Sequence, residues 1–156
     1  MITSINEFKL LNESADYLSW KRKNVTLRGM KDSSQENGVS GMLGKGLYTA
    51  PLSNKSLAKQ YGDVYFVVGG IPKKPLKFNT LNEWEIWFYN TLVMKYTNGT
   101  FPDIRQFNAQ TTIEKELQKM GYDGIIIKGR EMVNFKPENY QYFRTEEALK
   151  DYYYNL

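Results

Sequence analysis

The chain has 156 residues, of which 41% are hydrophobic and 24% charged, with a formal net charge of +4. This composition supports one globular domain around one core and excludes a disordered chain. Cysteine and histidine are both absent, which rules out disulfides, Cys or His zinc sites, and Ser-His-Asp or Cys-His catalytic arrangements.

Acid–base or electrostatic chemistry therefore falls to Asp, Glu, Lys, Arg, Tyr or Ser, or to a bound cofactor. The acidic residues show no metal-ligand spacing, so no metal site is expected. No apolar run approaches the roughly 20 residues that span a bilayer. The start, Met1-Ile2-Thr3-Ser4, carries no signal-peptide pattern, and a cytoplasmic protein without a membrane partner is expected. A mild positive excess attracts anions, phosphorylated cofactors and nucleic acid among them, without choosing between them.

In chain order, Ser4 and Glu7 form a capping-box pattern. Phe8, Leu11, Ala15 and Leu18 then recur at helical spacing, predicting an amphipathic helix over about residues 5–20. Val25 to Arg28 reads as a short strand ended by Gly29. Lys31 to Gly46, polar and rich in glycine, reads as a mobile surface loop. Leu47 to Ala50 is a brief strand stopped by Pro51, and Ser53 or Asn54 caps a short helix through Gln60. Val64 to Val68 is the clearest buried strand, with a further extended piece at Pro75 to Phe78.

Thr80 with Glu83 opens a helix whose inward residues are Trp84, Trp87, Phe88 and Leu92. Asn98 to Gln110 reads as a turn-rich connector. Thr111 with Glu114 repeats the capping signal, Ile113, Leu117 and Met120 share a face, and Gly121 stops that helix. Strands follow at Ile125 to Ile127 and Met132 to Phe135, around a Lys128-Gly129-Arg130 turn. Asp123 reads as a turn residue, and Tyr152 to Tyr154 either pack on the domain or meet a partner. Helices and short strands interspersed in this way give an α+β class.

Three segments carry residue types suited to chemistry. Arg28-Gly29 offers a fixed cation beside a backbone that a ligand can approach closely. Tyr48, after Gly44-Lys45-Gly46-Leu47, offers an aromatic face and a hydroxyl. Glu131 opens a strand after two basic residues. Together they suit a phosphorylated ligand that carries a ring and a sugar. Singly, Arg28 can pair with a surface acid, Tyr48 can be core, and Glu131 can balance Arg130. No P-loop spacing is present.

Gly44-Lys45-Gly46-Leu47-Tyr48-Thr49-Ala50, followed by Asn54-Lys55-Ser56 and Tyr61, resembles the nicotinamide-binding stretch of the ADP-ribosyltransferase superfamily, in its poly(ADP-ribose) polymerase and diphtheria-toxin branch. Arg28-Gly29 and Glu131 fall in the matching order, and Ile113 to Phe135 looks like the C-terminal half of small phage and bacterial members. The resemblance implies a single domain over residues 1–156, with a core over about 25–143. Its fold would be a split pair of antiparallel sheets, flanked by helices, with an NAD⁺ cleft between them. It further implies that Glu131 is catalytic, stabilising the ribose cation as nicotinamide leaves. Arg28, Gly29, Tyr48, Ser56 and Tyr61 would bind NAD⁺, the co-substrate. Two residues turn a side chain by roughly 200° on a helix, and Tyr61 lies two positions later than in close relatives. Whether both Ser56 and Tyr61 serve is left open at this point.

The activity implied is mono-ADP-ribosyl transfer to a macromolecular acceptor, protein ahead of nucleic acid, by a bacterial or phage effector. NAD⁺ glycohydrolysis, or an inactive nucleotide-binding or nucleic-acid-binding member, are the alternatives. Gly129 stands where arginine-modifying members carry an acid, so arginine is not the expected acceptor.

Overall fold

A computed structural model describes residues 5–35, 38–99 and 102–156, with side chains from Ala15 onward except Ser33. The Ser4–Glu7 capping box and the side chains of Phe8 and Leu11 lie outside the described residues. Helix α1 (Ile5–Asn24) runs four residues beyond the expected end. Its basic cluster, Lys21-Arg22-Lys23, sits in the last turn, where cations meet the negative end of the helix dipole. The buried side chain of α1 among those described is Tyr17, while Ala15 and Leu18 are exposed. The face is set by the aromatic partners, because Tyr17 and Trp20 pack against Tyr153 of the C-terminal helix at ring separations of 5.4 and 5.0 Å.

Strand β1 (Val25–Met30) continues through Gly29. It pairs antiparallel with β4 (Asp63–Val68), which pairs antiparallel with β8 (Gln141–Phe143). The second sheet has the order β2-β3-β7-β6-β5, built from Val39–Gly41, Gly44–Thr49, Met132–Asn134, Gly124–Ile127 and Pro75–Phe78. Every pairing in it is antiparallel except β5 with β6. The molecule is thus α+β, with two mostly antiparallel sheets flanked by helices. They meet at one isolated bridge, where Leu27 and Ala50 exchange backbone hydrogen bonds of 2.8 and 2.7 Å.

The segment expected as a mobile loop is instead a β2–β3 hairpin, preceded by a 3-10 turn at Ser33–Gln35. Its anchor is Leu43, fully buried in the core of the larger sheet. Helix α2 (Lys55–Lys59) begins as expected, with Asn54 accepting from the Leu57 amide. Helix α3 (Leu81–Trp87) is capped by Thr80 and passes through a π-helical stretch, Phe88–Val93, into α4 (Met94–Tyr96). Trp84, Phe88 and Leu92 enter the core, and Trp87 packs at its edge.

The expected connector contains helix α5 (Ile104–Gln110), capped by Asp103 and held by the buried Phe107. Helix α6 (Ile113–Lys119) is capped by Thr112, one position later than expected, because the Thr111 hydroxyl is bonded to Glu116. Met120 is 48% exposed, so it does not share the inward face with Leu117; that place goes to Glu116. Asp123 does more than turn the chain, since its carboxylate accepts from the Lys73 and Lys74 amides and aligns β5 with β6. The tyrosine-rich end is helix α7 (Glu146–Tyr154), packed on α1 through Leu149 and Tyr153.

Candidate functional site

A cleft of about 180 Å³ opens where the sheets meet, between β1, the β2–β3 hairpin, α2 and the β6–β7 turn. Arg28, Gly29, Tyr48, Tyr61 and Glu131 all line it. Ser56 does not: it is exposed, and its hydroxyl donates to Asn54 Oδ1 at 3.0 Å. Helix α2 turns Leu57 and Ala58 to the cleft instead.

Arg28 is 4% exposed and has no carboxylate partner among the described residues. Its Nη1 donates to the Tyr48 carbonyl at 2.7 Å and its Nη2 to the Gln35 carbonyl at 2.6 Å. The guanidinium therefore staples β1 to β3 and to the 3-10 turn. Burial lowers its pKa, opposed in part by Tyr142 and Tyr140. Its buried Nε has no partner, a donor left open beside the cleft.

Gly29 is required by space. A Cβ there would lie 1.8 Å from the Ala58 carbonyl oxygen, so only glycine lets α2 sit against β1. Tyr48 is fixed at both ends of its hydroxyl, which accepts from the Leu43 amide at 2.9 Å and donates to the Gly44 carbonyl. The ring covers Gly41, where a Cβ would meet it at 2.8 Å. Burial raises the phenol pKa despite the Leu43 amide, so it stays protonated at neutral pH.

Glu131 stands just before β7, placed by the 3.0 Å bond from the Ile127 amide to its own carbonyl. It is 8% exposed, and among the described residues its carboxylate has no hydrogen bond or ion pair. Its carboxylate oxygens keep contact with the cleft, where they are free to meet a ligand. Tyr61, beyond the end of α2, is 56% exposed at the rim.

Arg130 and Gln35 are among the cleft residues that the sequence left unassigned. Arg130 adjoins Glu131 in a glycine turn, and that adjacency was the available signal. Gln35 gave none, because the 3-10 turn brings it to the cleft. Among the described residues no group of three Asp or Glu side chains could hold a metal ion, and no helix is long and apolar enough to cross a membrane. No family model, curated protein or solved structure matches the chain.

Proposed function

We propose that the protein is an NAD⁺-dependent mono-ADP-ribosyltransferase that passes ADP-ribose to a macromolecular acceptor in the cytoplasm of a bacterial host. One observation carries this reading. Residues 28–29, 48, 61 and 131, from separated segments, line a single cleft where the two sheets part. On this reading the sheets are the split pair of the ADP-ribosyltransferase fold. The residues also fit the dinucleotide chemically, since Arg28 offers a cation, Tyr48 an aromatic face, and Gly29 a backbone without a side chain at the cleft wall.

Bound NAD⁺ supplies a leaving group that is already cationic, so cleavage requires no protonated acid. Glu131 places an anion where positive charge develops on the ribose as the glycosidic electron pair moves to the nicotinamide nitrogen. With no donor competing for it among the described residues, the carboxylate is available to that charge. The acceptor nucleophile then bonds the same ribose carbon and releases its proton. Arg28 holds phosphate or adenosine ribose, and Tyr48 and Tyr61 flank the nicotinamide ring.

The test is nicotinamide release from NAD⁺ with and without cell lysate, beside Glu131→Gln. The reading requires release that depends on lysate, ADP-ribose on a discrete acceptor, and a loss of about 100-fold or more in the glutamine variant. Release without lysate identifies a glycohydrolase. Binding by calorimetry without any release identifies an inactive member, and no binding at all overturns the assignment.

A further inference from the structure

Arg130 lines the cleft, and the helix and turn that border it carry further exposed cations that the chemistry above does not use. Lys55 and Lys59 stand four apart on α2 and so share a face, and both are exposed. Asn54 Nδ2 donates to the Gly129 carbonyl at 2.9 Å, tying the start of α2 to the β6–β7 turn. That bond holds the residue next to Lys55 against the turn that carries Lys128 and Arg130, which flank Gly129 and are also exposed. None of these four side chains forms an ion pair among the described residues.

Like charges gathered on one rim repel one another in the free protein and become favourable opposite a polyanion. Two further observations narrow the polyanion. Tyr61 follows Lys59 by two residues, is 56% exposed and faces the same cleft as Arg130. Arg28, 4% exposed, adds a further cation to the cleft wall. An exposed aromatic ring between cations suits an unstacked base with phosphates on either side. An acidic polypeptide would satisfy the charges but leave the ring without a matching face, and a duplex offers no free base.

We propose that the rim formed by Lys55, Lys59, Lys128 and Arg130 binds single-stranded nucleic acid, with the cations on phosphates and Tyr61 stacked on a base. The proposal does not rest on NAD⁺ turnover. Where both hold, a bound strand lies at the mouth above Glu131.

The experiment is fluorescence anisotropy of a labelled single-stranded oligonucleotide of about 12 nucleotides, without NAD⁺, across a salt series. Lys55→Ala/Lys128→Ala, whose lysines are surface-exposed, should lower affinity about tenfold or more. It should also flatten the salt dependence by about 1.4 in log–log slope, about 0.7 per lost contact. Tyr61→Ala should cost roughly tenfold for the oligonucleotide and leave poly-glutamate binding unchanged. An unchanged melting temperature in the double variant separates lost contacts from lost fold. Absence of binding at low salt, or indifference to the lysine pair, overturns the proposal. Poly-glutamate binding as tightly as the strand, with Tyr61→Ala silent, assigns the rim to acidic polypeptides instead. Each result is read independently of nicotinamide release.

Discussion

Glu116 is the most heavily bonded buried charge among the described residues, and its removal has a pH signature. The side chain is 2% exposed and its carboxylate receives Tyr96 Oη at 2.6 Å, Lys119 Nζ at 3.0 Å, and Lys95 Nζ and Thr111 Oγ1 at 3.1 Å each. Burial alone would raise its pKa, but these four bonds outweigh burial and hold it at about 2, against 4.5 for an ordinary glutamate. The folded-state value lies below the unfolded one, so the contribution is fully present above about pH 4.5 and fades as pH falls toward 2. At about 1.36 kcal/mol per unit the shift corresponds to about 3 kcal/mol. Lys95 and Lys119 are 60% and 68% exposed, so water screens both ion pairs and about 2 kcal/mol is the expected net effect. Urea unfolding of the protein and of Glu116→Gln at pH 7, 4, 3 and 2 measures it. The difference between the two proteins should be largest at pH 7 and shrink through the acid window. A difference that stays constant with pH, or one below about 0.5 kcal/mol at pH 7, would refute the reasoning.

Other substitutions separate scaffold from chemistry. Tyr48→Phe removes the hydroxyl that joins Leu43 and Gly44, and should cost about 1–2 kcal/mol in denaturant unfolding while the ring keeps its place. Gly29→Ala drives a Cβ into the Ala58 carbonyl; α2 must shift, with about 1–3 kcal/mol of destabilisation and weaker NAD⁺ binding by calorimetry. Ser56→Ala, outside the cleft, should leave NAD⁺ affinity unchanged, and a tenfold loss would return Ser56 to the site.

What could be read from the sequence follows how local each signal is. Strand β4 was legible because Val64 to Val68 is an unbroken β-branched and aromatic run, and it begins one residue earlier in the structure. The Thr80 cap was legible because its partner lies three residues away. The sequence placed the cap on Thr111, one residue early, because neighbouring hydroxyls give the same local signal; Glu116, reached by Thr111 across the turn, leaves the cap to Thr112. The β2–β3 hairpin was hidden because residues 31–46, polar and glycine-rich, have Leu43 as their one buried apolar side chain among the described residues, and its burial depends on distant helices. Helix α5 was hidden for the same reason, with Phe107 as its only buried residue. In the site, Arg28-Gly29, Tyr48 and Glu131 could be singled out by residue type and Tyr61 only by the family resemblance, and all of them line one cleft. The backbone carbonyls that hold Arg28 could not, because no sequence pattern marks them.

The cleft residues divide into two groups by what else they do. Arg28 spends two donors on backbone carbonyls, Gly29 admits α2, and Tyr48 closes its own hairpin. Each is bound into the framework, so its substitution moves stability and ligand affinity together. The Glu131 carboxylate and the Arg130 side chain carry no hydrogen bond or ion pair among the described residues, and Tyr61 is mostly exposed. Folding alone does not require a nearly buried carboxylate to lack a donor, or a tyrosine to face water beside cations. These three are where substitution can change function without changing the melting temperature. Lys55, Lys59 and Lys128 lie outside both groups, so on the readings proposed above their substitution should weaken strand binding and leave NAD⁺ turnover intact.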